Sequence, residues 1–100
     1  MRVSVLMWER MLELKLKKLN QNDGKCEVCG KLVSLADCQL AHKIPSTKHN
    51  IRTYGKEVIH HPLNLKVVCS LRCNSRVLRN LATHPVEGKE LIERIREELC

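Results

Sequence analysis

The segments Cys26–Gly30 (CEVCG) and Cys69–Cys73 (CSLRC) decide the fold of this 100-residue chain. Each segment contains two closely spaced cysteines, and 39 residues separate Cys29 from Cys69. Two such pairs provide the four thiolates that tetrahedral zinc takes at a closed structural site. A glycine follows the second cysteine, where a metal-binding turn needs a positive φ. The spacing therefore predicts a structural zinc ion bound by Cys26, Cys29, Cys69 and Cys73.

Two other uses of these cysteines compete with the zinc site. They could be small buried residues, or the first pair could be redox-active. A thioredoxin-like pair needs a preceding strand and a following helix, whereas Asn22–Gly24 before Cys26 favours a turn. Of the two remaining cysteines, Cys38 is expected in the core and Cys100 is expected to be a free thiol.

Six cysteines could also form three disulfides in a secreted protein. Residues 1–19 argue against export, because charged residues interrupt their apolar positions and leave no continuous signal-peptide core. No run approaches the roughly 20 apolar residues that span a membrane. We therefore expect a cytoplasmic protein without a membrane partner, in a reducing compartment where paired cysteines more often bind metal.

The size and composition favour one metal-stapled domain over residues 1–100. A chain of this length buries a modest apolar core. Aromatic side chains usually supply much of that core, yet this chain has only Trp8 and Tyr54 and no Phe. An added stabiliser such as zinc is consistent with this composition.

The net charge of +7 is concentrated in one segment. Between Lys43 and Arg79 the chain has eight Lys and Arg but only one acidic residue, Glu57, and the rest of the chain is balanced. A local cationic surplus is typical of a surface that binds a polyanion such as nucleic acid. A solubilising surface is the alternative that charge alone leaves open.

The hydrophobic pattern predicts helices at both ends of the chain. Apolar residues recur at steps of three and four from Val5 to Leu19, so we predict an amphipathic helix over residues 1–20. A second such pattern predicts a helix over residues 87–99, with Leu91, Ile92, Ile95 and Leu99 on one side. Either helix could simply close the core.

The region between the terminal helices, residues 25–83, contains the cysteine pairs and short strand-like stretches. We predict strands at Cys38–Ile44 and Lys56–Ile59, paired across a loop at Pro45–Gly55. Asn74 or Ser75 could cap a helix that carries Val77.

These residues resemble those of the HNH endonucleases of the ββα-metal finger fold, in particular the subgroup braced by four cysteines. The matching segments are CEVCG at 26–30, LAHKIP at 40–45, Asn64–Leu65 before Cys69, and Cys73–Asn74. The similarity covers residues 25–79. It implies an α+β fold with a small HNH-like zinc-binding core, flanked here by N- and C-terminal helices.

The resemblance also implies a function, the metal-dependent hydrolysis of DNA phosphodiester bonds, and whether RNA is also bound stays open. His42 would be the general base, Asn64 would orient it and hold the hairpin, and Asn74 would bind a catalytic Mg²⁺ or Mn²⁺. The family normally has Asp or His before the base, but this chain has Ala41 there. The missing ligand could come from His60, His61, His49 or Asn50. The residues expected to contact nucleic acid are Lys43, Lys48, Arg52, Arg72, Arg76 and Arg79.

Two other functions compete with the nuclease. A zinc-stapled module with Ala41 at the ligand position would bind nucleic acid without cleaving it. A protein-binding adaptor would expose an apolar stripe along Leu91, Ile95 and Leu99. The oligomeric state is open.

Overall fold

The computed structural model describes the backbone of residues 2–79 and 81–100 and the side chains of residues 9–79 and 81–100. Within these ranges the chain is a small α+β structure with a two-stranded sheet. The elements in chain order are α1 (Arg2–Gln21), β1 (Gln39–His42), α2 (Lys48–Tyr54), α3 (Lys56–Ile59), a 3-10 turn (Pro62–Asn64), β2 (Leu65–Val68), α4 (Leu71–Val77) and α5 (Pro85–Leu99).

β1 and β2 form an antiparallel pair whose two faces contact different helices. Alternate strand residues point to opposite faces. One face carries Leu40, His42, Leu65 and Val67, and the other carries Gln39, Ala41, Lys66 and Val68. On the first face, Leu19 of α1 packs with Val67 and Cys38. On the second face, Cys73 and Val77 of α4 pack with Ala41 and Val68. We call these the α1 face and the α4 face.

The terminal helices have nearly the bounds predicted from the sequence, but one predicted apolar position of α1 is exposed. The predicted contributions of Val5 and Trp8 lie outside the described side chains. Leu16, expected on the apolar side of α1, is exposed (49%). On α5, Ile92 and Ile95 are buried against Ile44, Val58 and Ile59, so α5 closes the core.

The predicted loop at Pro45–Gly55 and strand at Lys56–Ile59 are wrong, because these segments form α2 and α3. Thr47 caps α2 by accepting a hydrogen bond from the Asn50 backbone N–H. Gly55, with φ 93°, then allows the chain to turn into α3. The strand that pairs with β1 is β2, which begins after Asn64.

The predicted cap of α4 is also displaced. The helix begins at Leu71, and the Ser70 hydroxyl accepts a hydrogen bond from the Cys73 backbone N–H. Asn74 and Ser75 therefore lie inside the helix rather than at its start. This shift places the last two predicted zinc cysteines on either side of the capping residue.

Candidate metal centre and histidine site

The four predicted zinc cysteines lie together. The Sγ atoms of Cys26, Cys29, Cys69 and Cys73 are all within 4.8 Å of one another. Cys69 Sγ lies 3.6 Å from Cys29 Sγ and 3.7 Å from Cys73 Sγ. Ligands about 2.3 Å from a tetrahedral zinc ion are roughly 3.8 Å apart. The cluster could therefore hold a metal ion such as zinc.

The backbone builds this cluster by docking the first cysteine turn on β2. Gly30, with φ 77°, donates a hydrogen bond to the Cys26 carbonyl and closes the turn. Glu27 joins the turn to the sheet, because its backbone N–H donates to the Val67 carbonyl. Its carboxylate accepts a hydrogen bond from the Val67 N–H in return. Since Cys69 follows β2 directly, this docking brings the two cysteine pairs together.

The protein environment separates the acidities of the clustered thiols. Burial acts to raise the pKa of Cys26, but hydrogen bonds from the Cys29, Val28 and Cys69 backbones lower it to about 6. Burial and hydrogen bonds to Cys29 and Cys69 raise the pKa of Cys73 to about 11. The four thiols therefore titrate as one interacting group, and a bound metal ion would displace the protons that remain on it.

His42 forms a pair with His60. The Nε2 atom of His42 lies 3.1 Å from Nδ1 of His60, and the two rings make an edge-on contact. Burial and the neighbouring His60 lower the pKa of His42 below its ordinary value. His42 is therefore neutral at pH 7. Among the described residues, its Nδ1 has no hydrogen-bond partner.

The histidine pair lines a cavity of about 320 Å³. Leu40 and Leu65 of the sheet and Met11 and Leu14 of α1 form its apolar wall. Arg10, Lys56 and Glu57 also line it. The histidine pair thus meets a largely apolar space on the α1 face.

Asn64 is fully buried and holds the chain on both sides of the histidine pair. Its Oδ1 accepts from the Ile44 N–H at 2.8 Å, and its Nδ2 donates to the carbonyls of Ile44 and Ile59. Its backbone carbonyl accepts from the Lys43 N–H at 2.8 Å. Ile59 precedes His60, and Lys43 follows His42. Asn64 therefore fixes the two backbone segments that carry the histidines.

The other predicted catalytic-metal residues do not gather around His42. The Asn74 amide donates to Gln39 Oε1 at 3.3 Å on the α4 face. Gln39 and His42 point to opposite faces of β1, and their Cα atoms are roughly 10 Å apart along the strand. His61 Nδ1 instead accepts from the Leu63 N–H and caps the 3-10 turn. Of the residues considered as a replacement ligand, His60 is the one that contacts His42, whereas His49 is exposed on α2 and the Asn50 side chain donates to the Pro45 carbonyl.

Ala41 lies on the α4 face and is completely buried. It packs with Val68, Cys73 and Val77 next to the cysteine cluster. The position where the HNH resemblance expects a metal ligand is thus part of an apolar core in this chain.

The predicted nucleic-acid contacts fall in two regions. Lys43, Arg76 and Arg79 line a cleft of about 380 Å³ on the α4 side, together with Lys66. Lys48 and Arg52 are exposed on α2, and Arg72 is exposed on α4. Lys66 was not among the nucleic-acid contacts predicted from the sequence. Adjacent strand residues point to opposite faces, so Val67 on the α1 face places Lys66 on the α4 face.

Comparisons of the chain with models of protein families, with curated proteins and with solved structures give no match. The structure shows a small α+β fold with four cysteines that could hold a metal ion. Among the described helices, none combines the length and apolar character needed to cross a membrane.

Proposed function

We propose that this chain is a zinc-stapled endonuclease of the HNH type that hydrolyses DNA phosphodiester bonds, with His42 as the general base. The observation that carries the proposal is the placement of His42. One ring nitrogen contacts His60, the other has no partner among the described residues, and burial lowers the pKa of His42, which favours the neutral imidazole. A base positioned in this way can take a proton from water.

The contact between His42 and His60 is compatible with one tautomer of His42. If Nε2–H of His42 donates to Nδ1 of His60, the lone pair of His42 is on Nδ1. Water bound at Nδ1 would transfer its proton there as its oxygen attacks phosphorus. The bond from phosphorus to the leaving 3′ oxygen would break, and that oxygen would take a proton from solvent. His60 would then be a positioning residue, since it fixes the tautomer without touching the substrate.

The residues of this chain suit a structural zinc ion but not the catalytic cation that the resemblance implies. Four clustered thiolates suit zinc, whose role here would be to hold the two cysteine segments together. The expected Mg²⁺ or Mn²⁺ ligands do not fit, because Asn74 is bonded to Gln39 and His61 caps a turn. No step of hydrolysis is therefore assigned to a divalent cation.

A second candidate function is nucleic-acid binding without hydrolysis. The buried Ala41 and the Asn74–Gln39 hydrogen bond favour it, because together they leave no cation site beside His42. The adaptor alternative lacks its expected feature, since Ile95 of the α5 stripe is fully buried.

Cleavage of supercoiled plasmid by the zinc-loaded protein tests the proposal, with Mg²⁺, Mn²⁺ or EDTA added. We expect nicking by the wild type and none by His42→Ala. His49→Ala is the matched control, because His49 is exposed on α2 and should retain nicking. Plasmid binding without nicking under every condition would contradict the nuclease and favour the second candidate.

A further inference from the structure

The cleft on the α4 side gathers positive charge in a small volume. Lys43, Lys66, Arg76 and Arg79 line it, and the acidic residues at its wall are Glu27 and Glu87. Its apolar floor includes Val28, Val77 and Leu91. The cleft thus concentrates cations against a low-dielectric surface, which strengthens attraction to an anion.

Both acidic groups already have partners within the fold. Glu87 forms a salt bridge with Arg79 at 3.0 Å. The Glu27 carboxylate accepts the Val67 backbone N–H. By contrast, Lys43, Lys66 and Arg76 make no salt bridge among the described residues. These three cations therefore form no direct ion pair with the described residues, and the Glu27 carboxylate offsets only part of their charge.

The nearby positive charges affect the pKa of Lys43. Burial and the positive charges of Lys66 and Lys18 lower the pKa of Lys43, while Glu27 offsets part of this effect. Its backbone is held in place, because the Lys43 N–H donates to Asn64 and the Lys43 carbonyl accepts from the Arg79 N–H. An anion in the cleft would relieve this repulsion without requiring the backbone to move.

We propose that Lys43, Lys66 and Arg76 form a binding site for one phosphate group of a nucleic-acid backbone. The identity of the ligand rests on the proposed function, whereas the anion site itself rests on the cleft alone. Lysine ammonium and arginine guanidinium groups are the usual protein partners of phosphate oxygens. Lys43 directly follows His42 in sequence, but it lines the cleft on the α4 side, whereas His42 lines the cavity on the α1 face.

The test compares two double variants that remove the same charge. Lys66→Gln with Arg76→Gln alters the cleft, and the control Lys17→Gln with Lys89→Gln alters exposed residues of α1 and α5 that do not line it. Binding of a DNA duplex is measured by fluorescence anisotropy at several salt concentrations. We expect the cleft variant to lose about tenfold in affinity, as expected for lost charge-assisted hydrogen bonds. The slope of log K against log salt is negative, and its magnitude should decrease by about 1, which corresponds to one lost phosphate contact.

The control variant should lose clearly less affinity and keep the wild-type slope. Equal losses in both variants would mean that net charge alone drives binding, and would overturn the site. Circular dichroism and zinc content, measured on both variants, exclude loss of folding as the cause.

Inorganic phosphate separates failure of the site from failure of the proposed function. We expect it to shift the backbone amide NMR signals of Lys43 and Lys66, and the shifts should disappear in the cleft variant. Phosphate binding without duplex binding would keep the anion site but refute its nucleic-acid ligand. Absence of both responses would overturn the site, whatever the outcome of the plasmid assay.

Discussion

At the residue scale, one buried amide organises the histidine site. Asn64 uses both ends of its side chain, and its three side-chain hydrogen bonds reach Ile44 and Ile59. The HNH resemblance led us to expect this residue to hold the hairpin. The sequence could not indicate its partners, because Ile59 was predicted to lie in a strand rather than at the end of α3.

Replacing Asn64 should destabilise the protein strongly. Asn64→Ala leaves the Ile44 N–H and two backbone carbonyls unpaired, and each buried unpaired group costs about 1–3 kcal/mol. We expect the free energy of unfolding to fall by about 3 kcal/mol or more, measured by urea denaturation of zinc-loaded protein. Asn50→Ala is the control, because Asn50 is only partly buried and its side chain donates one hydrogen bond, to the Pro45 carbonyl. Similar losses in the two variants would contradict this role of Asn64.

The lowered pKa of His42 predicts a pH dependence of stability. The native state binds this proton more weakly than the unfolded state, in which the pKa is about 6.5. The stability due to neutral His42 is therefore present above about pH 6.5 and decreases as the pH falls towards the lowered native value. NMR titration of the His42 ring should give a midpoint below that of the unfolded protein. In His42→Gln, the loss of stability between pH 7 and pH 5 should be smaller, and an unchanged loss would refute the assignment.

At the scale of elements, the cysteine cluster joins the first cysteine turn, the end of β2 and α4. The first turn docks on β2 through Glu27, and the second pair links the end of β2 to α4. The four ligands were predictable from spacing alone, because knuckle spacing is a local property of the sequence. α2 was not predictable in this way, since its short polar sequence has no apolar period and depends on the Thr47 cap.

Loss of one ligand should therefore unfold the zinc-bound core. In Cys73→Ser we expect the bound zinc to fall from one ion per chain to near zero, with loss of the cooperative unfolding transition. Cys38→Ser is the control, because Cys38 is buried away from the cluster and packs with Leu19 and Val67. Atomic absorption and thermal denaturation measure both effects. Full zinc occupancy in Cys73→Ser would show that the four-cysteine site is wrong.

At the scale of the whole molecule, the hairpin separates two candidate functional surfaces. The histidine pair and its apolar cavity lie on the α1 face, and the basic cleft lies on the α4 side. The charge surplus of the central segment was visible in the sequence. Its division between the cleft and α2 was not, because that division depends on which face each strand residue takes. The same alternation explains why Asn74, which lies inside α4 rather than at its start, does not meet His42.

The central claim is that His42 takes a proton during phosphodiester hydrolysis. The most direct measurement is chemical rescue of His42→Gly by added imidazole, assayed as nicking of supercoiled plasmid by zinc-loaded protein. The account predicts that the variant is inactive alone, and that imidazole restores nicking in proportion to its neutral form. Rescue should be absent when imidazole is added to Asn64→Ala, in which the lost group is an amide. A folded His42→Gly variant that nicks DNA at the wild-type rate would contradict the claim, and so would a wild type that binds the plasmid but never nicks it.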